Sequence, residues 1–424
     1  MKLKDDITPS HCFVDLFAGC GGLSLGLEMA GLHPVFVNEL NKNALESYLL
    51  NRDVIEPKLR DPDFNCQDVK KLVDIERIKK LKKDLKEAYG INVENGELGL
   101  VVGGPPCQGF SGIGHRRSYS VAKEQLPSNH LFQDMAWIVN ELRPKIFLFE
   151  NVKGLLNAKW NSDGENGEIW NDVQKTFKGI KGYKVASSLI HAKNYGVSQN
   201  RPRVLLVGVR DDVNLSSWNE IPSGIADGFL PAPHYSATDL IDLLGDLVDP
   251  SFNNSGSTLH YPASATNDVQ RWFRKRIDGS FARKGDSISE HDYSKHSEKV
   301  RDKFIAMIKN NGVIPTEYQT KKFAQRLLPA RWGEGGPTIT ATSLPDDYVH
   351  FSQPRILTVR EWARLQGFPD WYNFSGSRTT GGIRRAGNPR EGVFDRELPK
   401  YTQIGNAVPV QLAEAVGQHF MKVL

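Results

Sequence analysis

The chain has 424 residues, which is too long for one ordinary hydrophobic core, so its length predicts two domains. A composition of 39% hydrophobic and 25% charged residues excludes a wholly disordered protein. The 54 basic and 50 acidic side chains leave a net charge of only +4, which argues against a strongly basic, histone-like protein. We find neither an apolar signal segment nor an 18-residue apolar run, and therefore expect no membrane association.

The chain contains four cysteines: Cys12, Cys20, Cys66 and Cys107. No two of them form a Cys-x-x-Cys pair, and a protein of this length needs no disulfides to fold. We predict free thiols in a reducing cytoplasm, and no metal site.

Strand-like and helix-like segments alternate through the first 210 residues. The apolar runs predict strands at 13–17, 35–37, 98–102, 145–150, 183–191 and 203–209. The intervening patterns predict helices at 24–30, 41–50 and 131–142. This alternation is typical of an α/β fold with a parallel or mostly parallel sheet and helices on both faces. Residues 70–88 predict an additional amphipathic helix with a solvated basic face, and residues 410–424 a last helix.

The middle of the chain is asymmetric in charge. Residues 211–270 contain no Lys or Arg and nine Asp or Glu, whereas residues 271–330 contain fourteen Lys or Arg and seven Asp or Glu. The segment 271–276, Arg-Trp-Phe-Arg-Lys-Arg, interleaves basic and aromatic side chains. Such a patch is suited to phosphates and base edges, although an ordinary charged helix face has the same pattern.

A glycine-rich turn follows the first predicted strand at 15–22, Asp-Leu-Phe-Ala-Gly-Cys-Gly-Gly. Glycines at such a turn let a ligand approach the backbone, and Glu39 follows twenty residues after Gly19, where an acid can bond ribose hydroxyls. Ser24 replaces the third glycine of a dinucleotide fingerprint, and there is no P-loop lysine. The turn therefore predicts a nucleoside-containing cofactor without requiring a pyrophosphate.

Three further segments carry residues suited to covalent chemistry. Cys107 follows a strand in the rigid sequence Gly-Gly-Pro-Pro-Cys-Gln and is a candidate nucleophile. Glu150 ends an apolar strand, where desolvation is expected to raise its pKa and suit it to general-acid work. Arg201 and Arg203 precede another strand, and Arg203 can offer paired donors to a planar acceptor.

Taken together and in this order, these segments resemble the DNA cytosine-5 methyltransferases of bacterial restriction-modification systems. Residues 17–22 resemble the cofactor motif of that family, 106–108 its nucleophile motif, 150–152 its acid motif and 199–203 its base-contacting motif. Residues 355–370 resemble the late motif that organises the recognition domain, and 403–408 the last motif, which returns to the cofactor site. The resemblance covers about residues 11–210 and 337–424.

The resemblance implies a Rossmann-like, S-adenosylmethionine-dependent methyltransferase domain with a second, smaller target-recognition domain. The catalytic domain is expected at 1–212, completed by 400–424. The small domain is expected at 213–399, with a variable target-recognition region at about 213–330 and the late motif at 355–370.

The implied reaction methylates carbon 5 of a cytosine that is flipped out of a specific duplex DNA sequence. Cys107 would attack carbon 6 while Glu150 hydrogen-bonds or protonates N3. Carbon 5 would then take the methyl group, and loss of its proton would expel the cysteine. Arg203 would hold the O2 edge of the base, and Gln108 and Arg201 belong to the same catalytic motifs.

The resemblance also assigns contact residues. Cofactor contacts are implied for Phe17, Gly19, Gly21, Gly22, Glu39, Leu40, Asp68, Val69, Pro106, Leu131, Asn406 and Ala407. DNA contacts are expected from Ser111, Arg116 and Arg117 in a lid at 109–128, and from Arg271, Arg274, Lys275 and Arg276. The expected partners are double-stranded DNA and a functionally linked restriction endonuclease, for a monomer in a bacterial or archaeal cytoplasm.

Three alternatives remain open. One is a transfer-RNA cytosine-5 methyltransferase, although the sequence contains no Cys-Phe-Thr motif and has a longer middle region. A second is a nicotinamide-dependent oxidoreductase on a similar sheet, against which the missing third glycine counts. The third is a catalytically inactive DNA-binding protein, against which the presence of both Cys107 and Glu150 counts.

Overall fold

A computed structural model describes residues 7–106, 127–161, 163–219, 225–226, 228–319, 325–333, 336–339, 347–379 and 397–424. These residues form two compact units. The sheet unit comprises the described residues within 3–192, 202–234 and 411–424, and the second unit those within 193–201 and 235–410. The predicted division into functional domains at 212/213 and 399/400 stays a prediction.

The sheet unit is built on one seven-stranded sheet. Its strands are β1 (Cys12–Leu16), β2 (His33–Asn38), β3 (Asn65–Cys66), β4 (Leu100–Gly103), β5 (Ile146–Val152), β6 (Tyr183–His191) and β7 (Pro202–Arg210). Their spatial order is β3-β2-β1-β4-β5-β7-β6. The first five strands in this order run parallel, and β7 runs antiparallel to both β5 and β6. The prediction of a mostly parallel sheet in an α/β fold is confirmed.

Twelve α-helices lie within the described ranges. They are α1 (Gly22–Met29), α2 (Lys42–Leu50), α3 (Ile75–Tyr89), α4 (Leu131–Leu142), α5 (Glu168–Lys178), α6 (Ser216–Asn219), α7 (Leu240–Leu244), α8 (Asp268–Phe273), α9 (Glu298–Lys309), α10 (Val359–Leu365), α11 (Lys400–Asn406) and α12 (Val410–Phe420). None of these helices is long and apolar enough to cross a bilayer.

The core of the sheet unit follows the sequence pattern. The strands β1, β4 and β5 are almost continuously apolar and buried, as expected for strands covered on both faces. Helix α3 buries Ile78, Leu81 and Leu85 against this core, while exposed lysines on its outer face pair with acidic neighbours. The predicted solvated helix is confirmed, with its start at Ile75.

The second unit contains four short strands: β8 (Gly256–Ser257), β9 (Asp292–Tyr293), β10 (Arg326–Leu327) and β11 (Tyr348–Val349). Its interior is unusually rich in charge. Arg364 is completely buried and binds both Asp246 and Asp370, and the equally buried Arg355 binds Glu361. Burial of these arginines is possible because carboxylates and carbonyls satisfy their donors.

Candidate active site

The sequence-predicted site residues of the sheet unit follow the carboxyl ends of neighbouring strands. Phe17 follows β1, Glu39 follows β2, Asp68 follows β3, Pro106 follows β4, and Glu150 lies near the end of β5. These five strands are adjacent and parallel, so their carboxyl ends meet at one edge of the sheet. Ligands of open α/β sheets bind at this edge.

The glycine turn after β1 is held by Glu39. One carboxylate oxygen of Glu39 accepts the Gly19 amide at 2.9 Å, and the other accepts the Asn41 amide at 2.7 Å. Burial raises the pKa of Glu39, and both amide donors oppose that rise. Gly19 has φ of 58°, and a side chain built there would meet no described atom within 4 Å. The turn therefore opens onto space beside an acidic group.

Asn38 ties the same turn to the next loop, and it was not predicted from sequence. Its amide nitrogen donates to the carbonyls of Cys66 and Gln67 at 3.1 and 2.9 Å, and its oxygen accepts the Phe17 amide at 3.3 Å. Asn38 thus sets the spacing of the loops that carry Phe17 and Asp68. The available signal was a buried amide ending an apolar strand, where an unpaired polar group would be costly.

A buried acid lies beneath the glycine turn. Asp15, at 0% exposure, accepts a hydrogen bond from Ser24, whose hydroxyl also contacts Tyr48 at 2.8 Å. Its second carboxylate oxygen has no hydrogen-bond partner among the described residues. Burial raises the pKa of Asp15 to about 7. The carboxyl group is therefore protonated in the folded protein over much of the acidic range.

The remaining cofactor candidates of the sheet unit differ in exposure. Gly21, with φ of 89°, caps the start of α1, and Gly22 is its first residue. Val69 is buried, Leu131 is partly exposed at the start of α4, and Leu40 is fully exposed. Asp68 uses one carboxylate oxygen to cap the Lys70 amide at 3.0 Å.

Glu150 and Arg203 form a buried ion pair. The Arg203 Nε lies 2.6 Å from a Glu150 carboxylate oxygen, and the residues are 7% and 8% exposed, respectively. The antiparallel register places Arg203 opposite Val152, two residues along β5 from Glu150, so the two side chains are diagonal neighbours. The guanidinium therefore lies directly against the carboxyl group that the sequence identifies as a candidate acid.

The same end of β5 holds the loop that leads toward residue 107. The Asn151 side chain donates to the Pro105 carbonyl at 3.0 Å. A Cβ on Gly104 would lie 2.8 Å from the second Glu150 carboxylate oxygen, so glycine lets the loop pass against this acid. The backbone before Pro106 is therefore fixed beside Glu150.

Several predicted residues lie outside the described residues. These are Cys107, Gln108, Ser111, Arg116 and Arg117. The other three cysteines are plain small side chains, as predicted: Cys12 and Cys20 are buried and Cys66 is partly buried. Burial raises the pKa of each of these thiols, to about 12 for Cys12 and about 11 for Cys66, which makes them poor nucleophiles.

Arg201 does not share the surroundings of Arg203. It belongs to the second unit, where its guanidinium donates to the carbonyls of Ile339 at 2.5 Å, Gly405 at 2.6 Å and Ala407 at 3.1 Å. At 2% exposure its two terminal nitrogens are directed to the backbone, and its place in the catalytic motif stays a prediction. Asn406 lies between Gly405 and Ala407, whose carbonyls Arg201 binds. Asn406 is exposed and Ala407 is buried.

The basic side chains of the segment 271–276 also differ from one another in exposure and partners. Arg274 is 2% exposed and bonds Asp246 at 2.7 Å and the Ala263 carbonyl at 2.8 Å, so its guanidinium is directed into the unit, and the DNA contact expected of it stays a prediction. Lys275 is exposed, and Arg271 and Arg276 are exposed but pair with Asp268 and Asp286. The sequence could not reveal the partner of Arg274, which lies 28 residues earlier in the chain.

Comparisons with known proteins identify the family of this chain. The family model of C-5 cytosine-specific DNA methylase matches residues 12–422. Type II methyltransferase M.DdeI of Desulfomicrobium norvegicum is 30% identical over 419 residues, covering 96% of this chain and 87% of that protein. Type II methyltransferase M.PspPI of a Psychrobacter species is 31% identical over 432 residues, covering 98% and 80%.

A solved structure shares the fold. It is described as a candidate DNA modification methyltransferase encoded within an E. coli prophage, and it aligns with a TM-score of 0.64 at 23% identity. The alignment covers 97% of this chain and 99% of the other.

Proposed function

Because the chain belongs to the C-5 cytosine-specific DNA methylase family and is a DNA cytosine-5 methyltransferase, we propose that it methylates a flipped-out cytosine through a covalent Cys107 adduct. The observation that carries this proposal is the buried Glu150–Arg203 pair beside the Gly104–Pro105 loop, which leads directly to Pro106 and Cys107. An acid and a planar cation then share one end of the sheet with the loop that leads to the candidate nucleophile.

The residues at the sheet edge fit S-adenosylmethionine, which supplies an electrophilic methyl group when bound. Each Glu39 carboxylate oxygen takes one backbone amide and keeps a lone pair for a ribose hydroxyl. The open side of Gly19 leaves room for the nucleoside. Phe17 would contact the adenine face and Asp68 the adenine amine.

A second set of side chains would complete the cofactor pocket. Val69, Pro106 and Leu131 would line it, and the cofactor contacts expected of Asn406 and Ala407 stay a prediction. Gly21 and Gly22 would keep the turn close to the ligand, and the exposed Leu40 would cover one side of it.

The chemistry at the base follows from the residue types. The Cys107 thiolate would form a bond to cytosine carbon 6, and Glu150 would donate a hydrogen bond or a proton to N3, so that the electron pair is available at carbon 5. After the methyl group has added to carbon 5, a general base removes the carbon-5 proton. The electrons of that C–H bond form the C5–C6 double bond, and the Cys107 thiolate leaves carbon 6. Covalent catalysis thereby replaces one difficult step by easier ones.

Arg203 would hold both the Glu150 carboxyl group and the cytosine. Its Nε is engaged with Glu150, and one terminal nitrogen donates to the Pro202 carbonyl at 2.8 Å. A guanidinium carries several N–H donors in one plane, and we propose that it also reaches the O2 edge of cytosine. We therefore assign the base contact of the motif to Arg203 alone. Gln108 would support the same pocket from the nucleophile motif.

DNA binding is assigned to an exposed basic hairpin in the second unit, residues 274–284. Backbone hydrogen bonds join Arg276 to Ser280 and Ala282 to Arg274, and Phe281, opposite Lys275, is 50% exposed. Lys275, Arg283 and Lys284 are exposed, and the Arg283 amide donates to the Asp286 carboxylate at 2.9 Å. These cations are available to phosphates, and the buried Arg274 anchors the base of the hairpin.

Further DNA contacts are proposed for Arg271 beside this hairpin, and for Ser111, Arg116 and Arg117 in the segment after Cys107. The relatives described above are named Type II methyltransferases. We accordingly propose a cognate restriction endonuclease that cleaves the same DNA sequence when it is unmethylated.

A methyl-transfer assay tests the function. The purified protein is incubated with deuterium-labelled S-adenosylmethionine and either plasmid DNA or transfer RNA, and the nucleosides are analysed by mass spectrometry. The proposal predicts labelled 5-methyldeoxycytidine from plasmid DNA only. Label in transfer RNA alone, or on another atom of a base, would contradict it.

A further inference from the structure

The basic hairpin at residues 274–284 has one buried face and one exposed face. Arg274 and Ala282, which a backbone hydrogen bond of 3.0 Å joins across the hairpin, are both buried. Lys275 and Phe281, the next opposed pair, are both exposed. Successive residues of a strand point to opposite faces, whereas directly opposed residues of two strands point to the same face. Lys275 and Phe281 therefore share the outer face of the hairpin.

The pair formed by Lys275 and Phe281 is of the non-hydrogen-bonded kind. The bond just described lies on one side of this pair, and a bond from the Arg276 amide to the Ser280 carbonyl at 2.8 Å lies on the other. Side chains of a non-hydrogen-bonded pair lie closer together than those of a hydrogen-bonded pair. The Lys275 stem and the Phe281 ring thus leave the surface side by side.

Both strands of the hairpin are fixed on its buried side. The Arg274 guanidinium bonds Asp246 at 2.7 Å and lies 4.0 Å from the centre of the Tyr261 ring. On the returning strand, the Gly285 amide donates to the Tyr261 carbonyl at 3.0 Å, and the Tyr261 amide donates to the Asp286 carbonyl at 2.9 Å. An element that is already held in one conformation loses little entropy when it binds a partner. The outer face is therefore presented by a preorganised support.

The surroundings of Phe281 are cationic. The segment 268–286 contains six Lys or Arg and three Asp. Arg274 is buried, and the other five cations are exposed: Arg271, Lys275, Arg276, Arg283 and Lys284. A single exposed apolar side chain is ordinary on a protein surface. An aromatic ring that is 50% exposed among exposed cations, however, suits a polyanion that also offers apolar edges, and duplex DNA is such a partner.

We propose that Phe281 is a specificity-determining residue, which makes an apolar contact with base edges of the target sequence. Lys275 and its exposed basic neighbours bind the flanking phosphates. Phosphate contacts position a protein on the duplex, whereas base contacts carry the sequence information. The major groove admits a two-stranded ribbon, and apolar groups on its floor, such as the thymine methyl group, accept contact with phenylalanine. This inference rests on the proposed function, which assigns the hairpin to DNA.

The test compares Phe281→Ala with Lys275→Ala and Tyr235→Ala. Lys275→Ala removes the cation opposite Phe281, and Tyr235 is an exposed aromatic residue of the same unit, at 65%, that lies outside the hairpin. Bisulfite sequencing first identifies the methylated sequence. Fluorescence anisotropy then gives Kd for a target duplex that contains this sequence and for a control duplex in which it is scrambled, at salt concentrations from about 50 to 200 mM.

We expect Phe281→Ala to raise Kd for the target duplex about fivefold to a hundredfold, which is the effect of about one mismatched base pair. Its Kd for the scrambled duplex should change less than about twofold, and its salt dependence should stay as in the wild type, because no phosphate contact is lost. Lys275→Ala should weaken binding of both duplexes alike and lower the salt slope by about one. Tyr235→Ala should leave both Kd values within about twofold. A Phe281→Ala variant that keeps the wild-type ratio of the two Kd values would overturn the proposal.

A measurement on the wild-type protein covers the case in which Phe281→Ala does not fold. Pyrimidines of the target duplex are replaced one at a time by their 5-iodo derivatives, ultraviolet light links these to aromatic side chains in contact, and mass spectrometry identifies the linked residue. We expect a link to Phe281, and links confined to other residues would overturn the proposal.

Failure of the proposed function gives a different result from failure of the Phe281 role. If the wild-type protein binds both duplexes equally and methylates neither, the proposed function fails. If it prefers the target duplex and Phe281→Ala keeps that preference, the proposed function stands and the role of Phe281 is overturned.

Discussion

Replacing Glu150 by glutamine tests the buried pair at the sheet edge. Glutamine keeps the shape and can still accept a hydrogen bond from Arg203, but it carries no negative charge and cannot exchange a proton with the substrate. The Arg203 charge would then remain buried beside a neutral partner, whereas in the wild-type protein Nε and the carboxylate are 2.6 Å apart. Loss of one partner of a buried pair costs about 3–5 kcal/mol, and the retained hydrogen bond places Glu150→Gln near the lower value.

The effect on catalysis should be separable from the effect on stability. A positioned acid contributes about 10²–10⁴-fold to a rate, so we expect single-turnover methyl transfer to slow by that factor at saturating cofactor and DNA. Binding of S-adenosylmethionine should change little, since Glu150 is not among the proposed cofactor contacts. Rapid-quench measurement of 5-methylcytosine, with urea unfolding of the same samples, gives both quantities.

Glu28→Gln is the matched control. Glu28 pairs with Arg52 at 2.5 Å, and both side chains are even more buried than the Glu150 pair. Its loss should reduce stability by a comparable amount without the large reduction in rate. Methyl transfer by Glu150→Gln within threefold of the wild-type rate would contradict a catalytic role for Glu150. An equal slowing of the reaction by Glu28→Gln would contradict it as well.

Three further predictions concern neighbouring positions. Cys107→Ser should abolish methyl transfer and leave cofactor binding, measured by calorimetry, within about twofold; turnover on duplex DNA would contradict the covalent mechanism. Gly104→Ala should displace the Glu150 carboxylate, since the new Cβ would lie 2.8 Å from it, and reduce kcat about tenfold without raising cofactor Kd; an unaltered kcat would show that the acid can move freely. Asp15→Asn should change the pH dependence of stability. The raised pKa of Asp15, about 7, means that the folded protein holds a proton which the unfolded chain releases near pH 4, so wild-type stability declines between these values as pH rises. Relative to the wild type, Asp15→Asn should therefore gain stability from pH 5 to pH 8 in urea unfolding, and parallel curves would contradict this.

Much of the sheet unit follows from local sequence patterns. The apolar runs at β1, β4 and β5 identify buried strands, and the residues after them reach one edge because parallel strands share their direction. Glu39 was therefore placed from its distance to Gly19 alone. Helix α5 was missed, although Ile169, Val173 and Phe177 recur at helical spacing.

The long-range polar contacts were not predictable in the same way. Two arginines separated by one residue look equivalent in sequence, yet Arg203 meets a carboxylate and Arg201 meets carbonyls about 140 to 200 residues away. In the sequence Arg274 is one of several clustered cations, whereas in the structure it is buried beside Asp246. Partners of this kind are decided by tertiary packing and leave no periodic signal.

The most direct test of the central claim is bisulfite sequencing of DNA from a host that expresses this protein. We predict that cytosine at one position of a defined sequence is protected from bisulfite conversion, and that this protection disappears with Cys107→Ser. Complete conversion of cytosines with the wild-type protein, or protection that survives the Cys107→Ser substitution, would contradict it.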